Sequence, residues 1–256
     1  MIEAYYDDLA PFYKLIFPDW EASVRRQAIA LKGVIQEYFG TQVSRILDAA
    51  CGIGTQCIGL AELGYSLTAS DLSRNAVSMA RAEAHKRGLE IEFAVADLLD
   101  LSNIFAQQFD LIIACDNVIP HLLSEGEILK AFLEFHHCTT PKGGCMISVR
   151  DYAALGLIGT QIYPRTVHID GHRRVICFDL WQGDGDYYDF TTYVVKHDGT
   201  EPATTHTIGG GRYFCVTISR LEHLLRQAGF NNVVTLRERY YQPLLLGLKS
   251  AKQVSP

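Results

Sequence analysis

The hydrophobic and polar positions between residues 43 and 150 follow two alternating patterns. Short apolar runs predict strands, and longer segments with apolar residues three or four positions apart predict helices. This alternation is typical of a parallel sheet covered by helices on both faces. The strands are predicted at 43–50, 67–71, 90–96, 109–116 and 145–150, and the helices at 55–63, 74–86 and 125–138. A turn at 141–144 is predicted to lead into the fifth strand.

A further helix is predicted at 19–39, ahead of the first strand. Asp19 can cap this helix, and Val24, Ala28 and Leu31 recur at helical spacing. We therefore expect residues 1–40 to form an N-terminal helical lid segment.

The pattern changes beyond Tyr152. Glycine-containing turns separate strand-like runs between 165 and 216, which predicts an antiparallel ribbon. A helix is predicted at 219–229 with Ser219 as its cap. Two last strands, at 233–239 and 243–248, are expected to form an antiparallel pair.

Together these elements predict an α/β fold. We expect a doubly wound, mostly parallel seven-stranded sheet with an antiparallel β-ribbon inserted after strand five. The main domain would comprise residues 41–151 and 217–256. Residues 152–216 would form an inserted subdomain that covers a substrate.

Composition and charge narrow the classes of partner. The formal net charge is −6 and no dense Lys/Arg cluster occurs, so we expect no nucleic-acid partner. No apolar run approaches the roughly 20 residues that span a bilayer, and the acidic, aromatic start lacks the pattern of a signal peptide. The seven scattered cysteines contain no Cys-x-x-Cys pair, so we expect reduced thiols and no metal site. A cytoplasmic monomer or small homo-oligomer without a membrane partner is expected.

A glycine-rich turn at residues 48–56 lies between the first strand and its helix, where an α/β fold can bind a cofactor. An NAD-type fingerprint starting at Gly52 would need a small third residue, and Cys57 occupies that position. The lysine of a phosphate-binding P-loop is also missing after Gly54. A nicotinamide oxidoreductase and a nucleoside-triphosphate site are therefore disfavoured.

The turn resembles motif I of the class I, Rossmann-like S-adenosylmethionine-dependent methyltransferases, with Ala50 in place of the first glycine. The acid at the end of the second strand and the Asp-Leu pair after the third strand also match that family. The resemblance implies S-adenosylmethionine as the cofactor and S-adenosylhomocysteine as a product. An aromatic N-terminal segment could exclude water from the cofactor, and an arginine of the first long helix could reach its carboxylate. The implied cofactor residues are Asp48, Ala50, Cys51, Gly52, Gly54, Asp71, Leu72, Asp97, Leu98, Cys115, Tyr13 and Arg26.

A narrower resemblance concerns the methyl acceptor. The segment 116–121 and the sequence Arg150-Asp151-Tyr152 are similar to acceptor-site elements of glycine and glycine/sarcosine N-methyltransferases, although the ribbon matches poorly. The resemblance implies that Arg150 binds a substrate carboxylate and that Asn117 contacts the same small amino acid. His121 could accept a proton or orient the nucleophile.

The leading hypothesis is thus an enzyme that methylates a small molecule, in particular an amino-acid amine such as glycine or sarcosine, by in-line displacement. Two alternatives stay open: another small hydroxyl or carboxyl acceptor, or a non-catalytic S-adenosylmethionine-binding protein. Each acceptor residue also has a structural interpretation. Arg150 could pair with a nearby acid, His121 could cap the helix near Ser124, and Asn117 could be a turn residue.

Overall fold

The computed structural model describes residues 2–249. Its main sheet, sheet A, contains seven strands in the order β3-β2-β1-β4-β5-β11-β10. β11 runs antiparallel to both of its neighbours, and the other adjacent strands are parallel. The predicted doubly wound, mostly parallel seven-stranded sheet is therefore confirmed. The strands of sheet A are β1 (Arg45–Asp48), β2 (Ser66–Asp71), β3 (Ile91–Val95), β4 (Phe109–Ala114), β5 (Thr139–Ser148), β10 (Asn232–Leu236) and β11 (Leu244–Leu248).

Eight α-helices occur within residues 2–249. Those at 74–86 and 125–138 have the bounds that the sequence predicts, and Asp19 caps α2 by accepting from the Ala22 N–H. Residues Ala10–Ile16 form a 3₁₀ helix, and α2 continues as a π-helix over Ile35–Phe39. The helices are α1 (Ile2–Leu9), α2 (Trp20–Val34), α3 (Thr55–Glu62), α4 (Arg74–Lys86), α5 (Leu101–Ile104), α6 (Glu125–Cys138), α7 (Tyr152–Leu155) and α8 (Ile218–Gln227).

The inserted ribbon is a separate four-stranded antiparallel sheet, sheet B, in the order β6-β7-β8-β9. It begins at Ile158, earlier than the predicted position 165, because its first strand stays paired with the second as far back as Ile158, which lies opposite Asp184. Its strands are β6 (Ile158–Asp170), β7 (Arg173–Asp184), β8 (Tyr187–His197) and β9 (Thr204–Phe214).

Two local predictions are wrong. Residues 141–144 do not form a turn before the fifth strand but lie inside β5. In this stretch the pairing between β5 and β4 is irregular, because the register shifts. The side chain of Thr217, not that of Ser219, caps α8 by accepting from the Arg220 N–H. Ser219 lies one residue inside the helix, and its hydroxyl is 3.2 Å from that of Thr217.

The apolar core has two parts, one on each face of sheet A. Along the parallel strands, neighbouring residues face opposite sides: Ile46 belongs to the core cluster that includes residues of α2, α3 and α4, and Leu47 to the one that includes residues of α6, α8 and sheet B. Helices on both faces leave the carboxyl ends of β1, β2, β4 and β5 free to form a crevice, the usual ligand position in such folds. None of the helices in residues 2–249 combines the length and the apolar composition that a membrane-spanning helix requires.

The division into residues 1–40, 41–151 with 217–256, and 152–216 stays a prediction. Residues 250–256 of that division lie outside the described part of the chain.

Candidate active site

A first cavity lies at the carboxyl ends of β1, β2 and β4, beside the glycine-rich turn. Gly52 and Gly54 have φ angles of +52° and +96°, which L side chains rarely adopt. A Cβ at Gly54 would lie 2.7 Å from Ile58 Cδ1, so this position also needs glycine for packing. Glycine at position 54 therefore lets the turn pack closely against Ile58, and the turn forms one wall of the first cavity.

We expect Gly54→Ala to destabilise the protein by about 2 kcal/mol, because the side chain meets both the positive φ and the Ile58 contact. The matched control is Gly64→Ala, whose φ is +91° but whose added Cβ would meet nothing within 4 Å. Urea denaturation of both variants separates backbone strain from packing. An equal loss of stability in the two variants would contradict the packing role of Gly54.

Nine predicted cofactor residues line the first cavity. Asp71 Oδ2 accepts from the Gly52 N–H at 2.8 Å, and Oδ1 accepts from the Ser73 N–H at 2.9 Å. Burial raises the pKa of Asp71, and these backbone hydrogen bonds partly offset that rise. Asp97 is exposed and Leu98 buried, so the pair offers a carboxylate beside an apolar surface. The nine residues are Tyr13, Ala50, Cys51, Gly52, Asp71, Leu72, Asp97, Leu98 and Cys115.

Asp48 lies behind the turn and is fully buried. In the described part of the chain, no group lies within hydrogen-bonding geometry of either carboxylate oxygen, although the backbone N–H groups of Ala50 and Cys57 lie near. Burial first, and the nearby Asp71 second, raise the pKa of Asp48 to about 7. Asp48 therefore supports the turn from behind and does not line the first cavity.

The raised pKa makes folding stability depend on pH. Between pH 4 and 7, roughly, folded Asp48 keeps a proton that the unfolded chain has lost, so this residue's contribution falls as pH rises through that window. We therefore compare the free energies of unfolding of Asp48→Asn and of the original protein. The value for the variant minus that for the original should rise by roughly 2–4 kcal/mol from pH 4 to pH 8. Denaturation at a series of pH values measures this, with exposed Asp8→Asn as the control. Parallel pH profiles for the original protein and Asp48→Asn would contradict the raised pKa.

The N-terminal segment closes one side of the first cavity. Ile2, Tyr6 and Tyr13 line it, and Asp7 fixes α1 to the start of α4 by accepting from the Ser73 hydroxyl at 2.5 Å and the Asn75 N–H at 3.0 Å. Sequence reasoning missed Ile2 and Tyr6 as lining residues. The aromatic pair at positions 5 and 6 was a usable signal for the second of these.

His121 also lines the first cavity. Its Nδ1 lies 3.1 Å from the Arg212 carbonyl oxygen, which can only accept, so Nδ1 carries the proton. Nε2 then accepts from the Tyr6 hydroxyl at 2.7 Å. Burial lowers the pKa of His121 to about 3, so the ring is neutral and a weak base. The cap of α6 is Ser124, which leaves His121 free of that structural role.

A second cavity adjoins the first at the carboxyl ends of β4 and β5, and Arg150 lines it. The guanidinium donates to the Tyr188 hydroxyl at 2.7 Å and lies 5.3 Å from the centre of the Trp181 ring. Within residues 2–249, Arg150 forms no ion pair with a carboxylate. Its neighbour Asp151 pairs instead with Arg237 at 2.5 Å. A positive charge is thus available to a ligand in the second cavity.

Asn117 is completely buried and does not line either cavity. Its Oδ1 accepts from the Arg150 N–H at 3.0 Å, and its Nδ2 donates to the Tyr152 hydroxyl at 2.7 Å. These bonds tie the end of β4 to the end of β5. The structure thus places Asn117 as a support for the Arg150 backbone, and its predicted contact with an acceptor stays a prediction.

Asp116 is a further lining residue that the sequence did not identify. It lines both the first and the second cavity and is partly buried. Asp116 and Asn117 have φ angles of 61° and 67°, an uncommon conformation for non-glycine residues that is enriched at functional sites. The Asp116 N–H is held by the Ser148 hydroxyl at 2.7 Å. Its position at the carboxyl end of β4 was the signal that could have identified it.

Arg26 does not line the first cavity, where the predicted cofactor contact would require it. It is exposed on α2 at the rim of the second cavity and donates to the Ser23 hydroxyl at 3.1 Å. Arg165, which sequence reasoning also missed, lines the second cavity but is neutralised by buried Asp179 at 2.6 Å. Arg150 and Arg26 are therefore the second cavity's two cations without a carboxylate partner among the described residues.

Known proteins resemble this chain in sequence and in fold. Residues 46–143 match a family model described as a methyltransferase domain. The chain is 26% identical over 206 residues to a glycine/sarcosine N-methyltransferase from Halorhodospira halochloris, a match that covers 75% of this chain and 73% of that protein.

Solved structures share the fold over most of the chain. DesVI from Streptomyces venezuelae superposes with a TM-score of 0.76 at 16% identity, covering 89% of this chain and 92% of the other. S-adenosylmethionine-bound CalS10, an amino pentose methyltransferase from Micromonospora echinaspora, gives a TM-score of 0.75 at 13% identity, with the same coverages of 89% and 92%.

The chain contains a methyltransferase domain, and the fold is that of the class I, Rossmann-like enzymes. It is an S-adenosylmethionine-dependent methyltransferase, similar to the glycine/sarcosine N-methyltransferases. The first cavity fits the cofactor: the glycine turn allows close approach, Asp71 and Asp97 offer carboxylates for hydroxyl and amino groups, and Leu98 offers an apolar surface.

Proposed function

We propose that this enzyme methylates the amino group of a small molecule that also carries a carboxylate, with glycine and sarcosine as the first candidates. The observation that carries the proposal is the Arg150 guanidinium, which faces the second cavity and has no carboxylate partner among residues 2–249. A guanidinium binds a carboxylate through two parallel hydrogen bonds, and the surrounding aromatic rings hold it in position.

Asp116 supports the same proposal from the other end of the acceptor. Its carboxylate lies where the two cavities meet, so an amino group bound there would face the cofactor. Asp116 lies close enough to Arg150 to influence it electrostatically, yet no ion pair joins them. One negative and one positive group separated in this way match the two ends of an amino acid.

The reaction requires a neutral amine aligned with the methyl group. The bound cofactor supplies an activated methyl on a sulfonium, and methyl transfer leaves S-adenosylhomocysteine and an N-methylated amine. Because amino acids carry an ammonium group near neutral pH, a proton must leave before attack. The Asp116 carboxylate, where the two cavities meet, could accept it, whereas His121 Nε2 already accepts from the Tyr6 hydroxyl. Arg150 and Asp116 together would fix the line of attack, which itself accelerates such reactions greatly.

The test is S-adenosylhomocysteine production with matched acceptors. Glycine and sarcosine should be methylated, whereas methylamine and dimethylamine, which lack the carboxylate, should react at least about 100-fold more slowly in kcat/KM. Equal rates for acids and simple amines would refute the carboxylate requirement. No turnover with a broad panel of amines, amino acids and phenols would favour the non-catalytic alternative.

We expect Asp116→Asn to lower kcat/KM for the amine about 100-fold and to leave S-adenosylhomocysteine affinity unchanged, because the variant loses a charge and a proton acceptor. Asparagine tolerates the positive φ at this position, so the backbone should be retained. The matched control is Asp151→Asn, since Asp151 lines the same cavity but is already paired with Arg237. Similar losses in both variants would contradict the assigned role.

One observation favours a second candidate, a larger amine. The second cavity has a volume of about 500 Å³, which is ample for an acceptor larger than glycine. Arg26 at its rim would suit a carboxylate or phosphate at the far end of such a molecule. If Arg26→Ala weakens acceptor binding while glycine and sarcosine remain poor substrates, the larger acceptor is favoured.

A further inference from the structure

A buried amide side chain lies beside the second cavity, in the loop between β10 and β11. Gln242 is only 7% exposed, yet it is one of the residues that line this cavity. The backbone carbonyl of its neighbour Pro243 accepts from the Val149 N–H at 3.1 Å, which fixes the loop against the end of β5. Gln242 therefore lies next to the segment that leads from β5 to Arg150.

The oxygen of this amide belongs to a chain of hydrogen bonds that reaches Asp116. The Ser148 hydroxyl accepts from the Asp116 N–H at 2.7 Å and donates to Gln242 Oε1 at 2.8 Å. A backbone N–H can only donate, so the hydroxyl proton is free to point at the glutamine. Ser148 is fully buried, and its carbonyl also accepts from the Asn117 N–H at 3.1 Å. Gln242 and Ser148 thus help to hold the left-handed backbone at residues 116 and 117.

The nitrogen of the same amide has two N–H donors and no hydrogen-bond acceptor among residues 2–249. It is not enclosed in the core as the oxygens of Asp48 are, so it opens onto the second cavity. A donor that is removed from bulk water and left without an acceptor is unfavourable, and buried polar groups normally have a partner. A ligand with an oxygen at this place would supply that partner.

The charged groups near Gln242 indicate which ligand oxygen would bind there. The Arg150 guanidinium lines the same cavity and has no carboxylate partner among the described residues. A carboxylate has about four acceptor positions on its two oxygens, so it can bind a guanidinium and an amide N–H together. Asp116 also lines the cavity, and its negative charge attracts an amino group and repels a carboxylate. These groups suit an acceptor whose carboxylate lies at Arg150 and Gln242.

We propose that Gln242 is an acceptor-binding residue whose Nε2 donates to a carboxylate oxygen of the acceptor, beside Arg150. Its Oε1 at the same time holds Ser148, which is a positioning residue for Asp116. The inference rests on the proposed function, because it requires an acceptor that carries both a carboxylate and an amine. It adds an uncharged donor to the carboxylate site and links that site to the residue that faces the amine.

Steady-state kinetics of Gln242→Glu with sarcosine and with dimethylamine test the proposal. Glutamate keeps the size of the side chain and an oxygen for the Ser148 hydroxyl, but it replaces the donor by a negative charge. The ratio of kcat/KM for sarcosine to that for dimethylamine should fall at least about 100-fold, because only sarcosine has a carboxylate to be repelled. The matched control is Gln36→Glu, which makes the same change at an exposed position that lines neither cavity and should leave the ratio unchanged. A ratio within about threefold of the original in Gln242→Glu would overturn the proposal.

Gln242→Met covers the case in which a buried carboxylate unfolds the protein. Methionine is unbranched and uncharged, and it lacks the donor. The KM for sarcosine should rise about tenfold, and the KM for dimethylamine should stay within about twofold of the original value. A merely structural role for Gln242 would change both KM values alike, and that result would overturn the proposal.

Ser148→Ala tests the link to Asp116. The variant keeps the amide donor but removes the hydroxyl that holds the Asp116 N–H. We expect kcat for sarcosine to fall about tenfold while its KM stays within about threefold of the original value. An unchanged kcat would overturn the positioning role of Ser148.

The unmodified enzyme separates this inference from the proposed function. Equal kcat/KM values for sarcosine and dimethylamine in the unmodified enzyme would contradict both. A preference for sarcosine that survives unchanged in both Gln242 variants would overturn the role of Gln242 alone.

Discussion

Arg150→Lys should raise the KM for the acceptor about 100-fold while S-adenosylhomocysteine affinity stays within about twofold of the original value. Lysine keeps the positive charge but loses the planar pair of donors that grips a carboxylate. It also gives up the hydrogen bond to the Tyr188 hydroxyl, which fixes the guanidinium. The expected loss corresponds to about 2.7 kcal/mol of acceptor binding.

Two controls separate carboxylate binding from general damage. Arg237→Lys makes the same chemical change in an exposed ion pair with Asp151 and should leave KM unchanged. Tyr188→Phe removes only the bond that orients Arg150 and should raise KM by about tenfold at most. An unchanged acceptor KM in Arg150→Lys would eliminate the carboxylate clamp, whatever the cofactor affinity.

Asp71→Asn should weaken S-adenosylhomocysteine binding by about 100-fold, the second large effect. The carboxylate accepts from the N–H groups of Gly52 and Ser73, and it lines the first cavity. An amide cannot accept on both sides, so one NH₂ group would face an N–H of the turn or a hydroxyl of the cofactor. Both the shape of the turn and the contact with the ligand would be lost.

Isothermal titration calorimetry measures this effect directly. Asp100→Asn is the control, because Asp100 is exposed and its carboxylate accepts from the nearby Asn103 side-chain amide at 2.6 Å. Thermal unfolding without ligand shows whether the variant is folded. An S-adenosylhomocysteine affinity equal to that of the control would show that Asp71 does not hold the cofactor.

The fold could be predicted because its signals are local. Helices α4 and α6 begin at serine caps and carry regular apolar spacing, so their bounds follow from the sequence. The glycine-rich turn could be recognised in the sequence because its conformation requires glycine. Gly54 has a positive φ, and a side chain at this position would collide with Ile58. Errors arose where tertiary pairing decided the outcome, as in the early start of β6, which is set by its alignment with β7.

The candidate site was only partly predictable, for a related reason. Which side chain faces a cavity after the end of a strand depends on backbone angles that sequence patterns do not specify. The positive φ angles at positions 116 and 117 leave Asp116 lining both cavities and bury Asn117, whereas the resemblance had suggested a direct acceptor role for the asparagine. Arg26 illustrates the same limit, because helical spacing alone did not show which cavity it would reach.

The most direct test of the central claim is a crystal structure with S-adenosylhomocysteine and sarcosine bound. We predict the cofactor product in the first cavity, its sulfur directed towards Asp116, and the sarcosine carboxylate on Arg150. The amine should lie beside Asp116 with room for a methyl group between nitrogen and sulfur, as a near-attack arrangement requires. Sarcosine bound with its carboxylate away from Arg150, or its nitrogen turned away from the sulfur, would contradict the account.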